Sequence, residues 1–233
     1  MLTEAWLLLK QSFEIFKKHW KYLFSIYLRI FLFFLIPFFV TLALSLFFGS
    51  NRELVGPIYY ILGSVMMIFM LIFGLILVPF YLLVTKSIIA DQEPSFRELF
   101  SQSKKLAPSV VWTGFVQGAC VLGGLILFVV PGLILAVWFA FSQYIVVENG
   151  VSGFKALQKS KVLLRGRFWE AALFLSLLTL MTLLLSFLQS AFQKYGGLPV
   201  TIVFYLVSVL ISIVSPIYMY LVYRRFASLP AKT

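Results

Sequence analysis

The chain has 233 residues, of which 62% are hydrophobic and 12% charged, and its formal net charge is +11. Soluble domains carry roughly 25% charged residues, so this chain has too little polar surface to be covered by water alone. The composition excludes an ordinary soluble protein and predicts an integral membrane protein.

Six apolar stretches reach or approach the roughly 20 helical residues that cross a bilayer. They are 22–48, 57–89, 108–130, 132–147, 168–192 and 198–226. Turns containing Gly and Pro separate the two stretches of each successive pair. The sequence therefore predicts an all-α polytopic membrane helical bundle of about six transmembrane helices, in one integral membrane domain over 1–233. Because the fourth stretch is short, a re-entrant hairpin formed by the third and fourth is the alternative.

Basic amphipathic segments precede each pair of stretches and predict about three interfacial helices. Their apolar residues recur at steps of three and four: Leu2, Trp6, Leu9, Phe13, Phe16 and Trp20; Phe96, Leu99, Phe100 and Leu106; Phe154, Leu157, Leu164 and Phe168. Cationic side chains lie mostly off these stripes, as in helices that lie in the membrane interface. Trp20, Trp112 and Trp169 then mark the headgroup level. Simple soluble loops are the alternative.

The three amphipathic segments also resemble one another. Aligned on their tryptophans, each has a serine eight or nine residues earlier, namely Ser12, Ser103 and Ser160. This spacing indicates three copies of one unit, an in-plane helix followed by a transmembrane hairpin, over 1–90, 91–148 and 149–233. Chance similarity between amphipathic segments is the alternative.

The distribution of Lys and Arg predicts the orientation. Arg52 and Lys194 are the only cationic residues in the connections of one side, and the others lie on the opposite side or in segments that start there. Cytoplasmic connections collect Lys and Arg, so we expect both termini and the long connections on the cytoplasmic face of the cytoplasmic (inner) membrane. An even number of spans agrees with this. The start of the chain lacks the pattern of a cleavable signal peptide, and we expect it to be retained.

The same cations indicate the partners. Beside anionic headgroups each is worth about 1 kcal/mol, so the charge of +11 requires no nucleic acid. We expect the lipid bilayer and anionic phospholipids as partners, with a protein partner or a homo-oligomer also open. The predicted headgroup-binding residues are Lys17, Lys18, Lys21, Lys104, Lys105, Lys159, Lys161, Arg165 and Arg167.

One region resembles a known family. Pro131 and Gly132, an aromatic-rich run to Glu148, and "ALQKSKVLLRGRFW" at 156–169 are similar to the membrane domain that precedes the catalytic domain of some bacterial glycerophosphoryl diester phosphodiesterases. Stand-alone, uncharacterised multi-span proteins share this domain. The resemblance implies a multi-helical bundle with no established activity of its own. The phosphodiesterase chemistry belongs to a separate domain, which we expect this chain to lack.

Residues that carry catalysis are sparse. The single histidine, His19, lies among lysines, and the single cysteine, Cys120, lies in an apolar run. The eight acidic residues are scattered along the connections without ligand spacing. We therefore expect no enzyme activity, no cofactor and no metal, and we expect His19 to be an interfacial side chain.

Polar residues within the spans are few. A polar intramembrane site would use Arg29, Gln117, Gln143 and Gln189. Alternatively, Arg29 extends its guanidinium back to the headgroups. The glutamines alternatively form polar contacts between helices, and Gly114 and Gly118 beside Gln117 form a ridge that allows close packing. The sequence thus predicts a non-enzymatic protein for membrane or lipid organisation or partner scaffolding. The alternative is a small transporter with a polar mid-membrane cavity.

Overall fold

The computed structural model describes residues 2–48, 52–193 and 197–229, and every regular element in these ranges is an α-helix. The predicted all-α helical bundle is therefore confirmed. In chain order the helices are α1 (Leu2–Lys18), α2 (Trp20–Phe48), α3 (Arg52–Ile89), α4 (Phe96–Leu127), α5 (Val129–Trp138), α6 (Ser142–Asn149), α7 (Phe154–Leu163), α8 (Phe168–Gln193) and α9 (Gly197–Ser228).

The described part of the chain contains five helical stretches that are long and apolar enough to cross a membrane. They are Gly63–Ile89, Phe96–Leu127, Val129–Asn149, Phe168–Phe192 and Thr201–Ser228. They match five of the six predicted spans. The remaining one, 22–48, lies in α2, and many of its side chains fall outside the described residues. The chain is thus a multi-pass membrane protein.

The third and fourth predicted spans form a tight pair of helices. The two helices are joined at Phe128, whose backbone is extended (φ −159°, ψ 147°). This break lies three residues before Pro131, at which the predicted Pro-Gly break begins. A Cβ atom on Gly132 would lie 2.4 Å from Cγ of Leu125, and one on Gly124 would lie 3.0 Å from Cα of Gly132. The two helices therefore touch through their backbones. The second arm, Val129–Asn149, has 21 residues and is long enough for a full crossing.

The second predicted interfacial helix does not exist as a separate element, so that prediction is wrong. Instead, α4 runs unbroken from Phe96 through Pro108 to Leu127. Its start is set by a capping box between Ser95 and Glu98. One buried face continues past the proline through Leu99, Ser103, Ala107 and Val110. Packing of this face against α3 outweighs the local cost of proline, about 3 kcal/mol in a helix interior.

The first and third amphipathic segments are separate helices, α1 and α7, and each apolar stripe is partly buried and partly exposed. In α1 Ala5, Leu9 and Ser12 are buried, whereas Trp6 and Phe13 are exposed. In α7 Leu157 is buried and Phe154 is exposed. Leu9 lies beside Val214 of α9. Periodicity alone could not tell protein from lipid as the partner of an apolar stripe.

A cluster of buried aromatic side chains lies where the start of α6, α8 and the second half of α9 meet. Phe141, Phe174 and Phe226 are fully or almost fully buried there. Their rings lie about 6 Å apart, with Phe141 and Phe174 each 5.9–6.0 Å from Phe226 between centroids. Aromatic pairs in such geometry add about 0.5–1.5 kcal/mol beyond burial.

The three serines singled out by the repeat share one environment. Ser12, Ser103 and Ser160 are all fully buried. Ser12 donates to the carbonyl of Leu8 (2.7 Å) and Ser103 to that of Ile76 (3.1 Å). Ser160 donates to the carbonyl of Trp138 (2.7 Å) and accepts from the amide of Phe141 (3.3 Å). The threefold repeat itself stays a prediction.

Candidate functional site

Contacts between helix ends place several connections at one end of the bundle. Lys86, near the end of α3, pairs with Glu148 at the end of α6 (3.2 Å). Glu148 also accepts a hydrogen bond from the hydroxyl of Tyr220 in α9. Arg225, near the end of α9, pairs with Glu170 at the start of α8 (3.1 Å). The connections 90–95, 150–153 and 164–167, with the helix ends that flank them, are called the basic end below.

The predicted headgroup residues lie on helices whose termini form the basic end. Lys17, Lys18, Lys21, Lys104, Lys105, Lys159, Lys161 and Arg165 are exposed, and Arg167 is half-buried. They are distributed over the α1–α2 junction, the first part of α4, and α7 with the turn after it. The structure therefore brings them to one end of the bundle, without merging them into one cluster.

At the α1–α2 junction, His19 joins the first two helices to the α3–α4 connection. Its ring is only 6% exposed, with Nδ1 2.7 Å from Glu93 and Nε2 3.1 Å from Asp91. Lys18 donates to Asp91 as well (2.7 Å). The Lys18 ammonium, and then the nearby His19, lower the pKa of the Asp91 carboxyl. Sequence reasoning treated His19 as a plain interfacial residue and missed this junction.

A second charged cluster is centred on Arg225. The guanidinium lies 3.0 Å from Glu4 and 3.1 Å from Glu170, and 5.0 Å from the ring centroid of Phe174. The hydrogen bond and charge of Arg225 lower the pKa of Glu4. This arrangement ties the first turn of α1 to α8 and α9. The sequence carried no signal for it, because the two acids lie far apart in the chain.

The polar residues predicted within the spans do not converge on one site. Gln117 and Gln143 lie at the contact of α4 with α6, where the amide oxygen of Gln117 accepts from Ser142 (2.7 Å). Arg29 lies near the start of α4, with its guanidinium 6.0 Å from the ring of Phe96. Phe96 and Gln117 are separated by about 31 Å of helix. Gln189 lies in the second half of α8, half-buried.

The glycine ridge predicted beside Gln117 is only half correct. A Cβ atom on Gly114 would lie 3.3 Å from Nε2 of Gln143, which is a close contact. A Cβ atom on Gly118 would have nothing within 4 Å, so the predicted close packing of Gly118 is wrong. Gln117 and Gln143 thus act as polar contacts between α4 and α6.

Two neighbouring cavities lie along α8, and the first of them is lined by basic residues of α7 and of the turn after it. The α7–α8 pocket, of about 430 Å³, is lined by Trp138, Lys161, Val162, Leu164, Arg165, Gly166 and Phe168. The α5–α8 groove, of about 880 Å³, is open and mainly apolar, and Gln117, Ser176 and Thr179 are its polar lining residues. The hydroxyls of Ser176 and Thr179 donate to carbonyls of their own helix, Leu173 and Leu175. The groove wall is therefore close to hydrocarbon in character.

Metal-binding geometry is not found within residues 2–48, 52–193 and 197–229, where no group of three His, Cys, Asp or Glu side chains could hold an ion. At His19 the two ring nitrogens face different carboxylates, so these groups do not converge on one point. No family model, curated protein or solved structure matches the chain. The resemblance to the phosphodiesterase membrane domain stays a prediction.

Proposed function

We propose that this multi-pass protein is non-enzymatic and binds anionic phospholipid through its basic end, in a role of membrane or lipid organisation or partner scaffolding. The observation that carries the proposal is the set of exposed Lys and Arg side chains on helices that meet at one end of an otherwise apolar bundle. Orientation with this end at the cytoplasmic face of the inner membrane is part of the proposal.

The charges are sorted in a way that supports headgroup binding. The acidic residues Asp91, Glu148 and Glu170 are paired with cations of the helix ends. The outer cations of α4 and α7 remain exposed beyond these pairs. Phosphates of anionic lipids would then meet an excess of positive charge, at about 1 kcal/mol for each cation near the surface.

Exposed tryptophans support the same placement. Trp20, Trp112 and Trp169 are 51%, 54% and 80% exposed. Indole rings concentrate at the boundary between headgroups and hydrocarbon, where their N–H meets water and their ring meets lipid. Each ring lies next to a segment that carries the exposed cations, so cations and aromatics would face the same layer of the membrane.

A transport function is the second candidate, and the α5–α8 groove is the observation that favours it. The groove reaches Gln117 in α4, a polar residue within a span. A water-filled path along this groove would support passage of a polar solute. An acyl chain in the groove would support lipid binding.

Co-purifying lipid tests the first candidate. The protein would be extracted in mild detergent from a membrane containing anionic and zwitterionic lipids, and retained lipids identified by native mass spectrometry. We expect anionic lipids to be enriched over their membrane abundance. Retention in proportion to abundance would contradict the proposal.

Thiol accessibility tests the second candidate in the same membranes. Thr179→Cys, in a background where Cys120 is changed to Ala, places a thiol on the groove wall. We expect no labelling by a charged, membrane-impermeant maleimide, because the groove opens to hydrocarbon. A Cys at exposed Ser101 is the positive control. Fast labelling at position 179 would make the transport function the better one.

A further inference from the structure

We propose that the α7–α8 pocket and the α5–α8 groove together form a binding site for one anionic phospholipid. Its phosphate would lie beside Lys161 and Arg165, and its acyl chains would lie between α5 and α8. This inference rests on the proposed lipid-binding function and narrows it from a charged surface to one site.

The pocket carries positive charge that no acidic side chain of its lining neutralises. Its lining contains Lys161 and Arg165 and no acidic residue. Both side chains are exposed, and among the described residues neither forms an ion pair with a carboxylate. The Lys161 ammonium lies 4.4 Å from the ring centroid of Trp138, a cation–π contact that holds it at the rim.

The turn between α7 and α8 shapes this pocket. Gly166 has φ of +73°, a left-handed conformation that side chains other than glycine rarely adopt. The amide of Arg165 donates to the carbonyl of Val162 (3.2 Å), and the amide of Arg167 donates to the carbonyl of Leu164 (3.0 Å). The turn is thus a defined structure, and it places Arg165 at the pocket.

The groove provides the apolar half of the site. Small residues, namely Ala136 on α5, Ala140 in the turn after it and Ala172 on α8, leave space between α5 and α8. Its volume of about 880 Å³ lies in the range in which small ligands bind, about 300–1,000 Å³. The hydroxyl groups of Ser176 and Thr179 donate their hydrogen bonds within α8. Among the residues that line the groove, this leaves the side-chain amide of Gln117 as the polar group that a ligand could contact. An acyl chain suits such a surface.

The two cavities adjoin at the pair Trp138 and Phe168, whose rings meet edge to face with centroids 6.1 Å apart. Both residues line the pocket. Val137, next to Trp138, and Ala172, one helical turn after Phe168, line the groove. A cationic cavity followed by an apolar one is the complement of an anionic amphiphile. Neither a free phosphate nor an uncharged hydrocarbon would use both parts.

Other exposed cations lack this combination. Lys18 is engaged by Asp91, and Lys104 lies over the ring of its neighbour Phe100, 4.7 Å from the centroid. Lys104 and Lys105 are therefore a matched control. Their removal changes the net charge by the same amount as removal of Lys161 and Arg165, but away from the groove.

Native mass spectrometry of the full chain, titrated with dioleoyl phosphatidylglycerol or dioleoyl phosphatidylcholine, tests the site. The wild type is expected to bind one phosphatidylglycerol in preference to phosphatidylcholine. Lys161→Gln with Arg165→Gln should weaken phosphatidylglycerol binding about thirtyfold, since each cation near a headgroup is worth about fivefold. Lys104→Gln with Lys105→Gln should weaken it clearly less, because these two cations belong to the broader basic end and do not line the pocket. Ala172→Phe, which fills an open groove, should weaken both lipids.

The outcomes separate the site from the broader function. If the wild type shows no preference for phosphatidylglycerol, the proposed function fails together with the site. If the wild type prefers phosphatidylglycerol but both double variants lose this preference equally, lipid binding by the charged surface stands and the single site is overturned. Persistence of binding in Lys161→Gln with Arg165→Gln overturns the site as well. Inorganic phosphate at millimolar concentration should not displace the lipid.

A photocrosslinking experiment covers the case in which a variant fails to fold. Wild-type protein would be irradiated with phosphatidylglycerol carrying a diazirine on its acyl chain. Adducts are expected on peptides covering 133–140 and 172–180. Adducts spread evenly over all lipid-exposed helices would overturn the site.

Discussion

Replacement of Gly132 by alanine tests the packing of α4 against α5. The new Cβ atom would lie 2.4 Å from Cγ and 2.5 Å from Cδ2 of Leu125, and 2.8 Å from its backbone nitrogen. The side chain can rotate away, but the backbone nitrogen cannot move without parting the helices. Overpacking of this kind destabilises a protein by about 1–3 kcal/mol. The higher helix propensity of alanine offsets up to about 1 kcal/mol of this loss. We expect a net loss of about 1–2 kcal/mol.

The matched control is Gly118→Ala in the neighbouring helix. A Cβ atom there has nothing within 4 Å, so only the propensity gain of about 0.5–1 kcal/mol applies. Both variants would be unfolded by titration with a denaturing detergent in mixed micelles, with helix content as the signal. Gly132→Ala should unfold earlier than the wild type, and Gly118→Ala at the same point or later. If Gly132→Ala is as stable as Gly118→Ala, the close contact of the two helices is refuted.

Three further predictions concern the charged and buried polar groups. Ser160→Ala should lower stability by about 1–3 kcal/mol in the same titration, because a buried carbonyl and amide lose their partner, whereas exposed Ser101→Ala should be nearly neutral. Because the pKa of Asp91 is lowered in the folded protein, its carboxylate stabilises the fold above the ordinary aspartate pKa, and this stabilisation is lost as the pH falls through the lower folded value. Stability measured from pH 6 down to pH 3 should therefore fall less in Asp91→Asn than in the wild type. An equal fall in both proteins would argue against the pairing with Lys18. Arg225→Gln should speed hydrogen exchange in the first turn of α1 while leaving α4 unchanged, and unchanged exchange in α1 would show that the pairing does not hold this helix.

The class of protein and most of its helices can be predicted from the sequence alone. Long apolar stretches cannot be covered by water, so they predicted the spans that the structure contains at Gly63–Ile89, Phe168–Phe192 and Thr201–Ser228. These signals are local, and local signals can be read along the chain.

The packing of the helices sets which side of each amphipathic helix is buried and which charges meet. Leu9, Trp6 and Phe13 share one apolar stripe, yet Leu9 is buried in the core while Trp6 and Phe13 are exposed. Pro108 reads as a break yet continues a helix, because packing against α3 outweighs its local cost. The pairing of His19 with Glu93, and the meeting of the pocket with the groove at Trp138 and Phe168, join positions distant in the chain. Periodicity specifies a face but carries no information about its partner, so these features depend on how the helices pack.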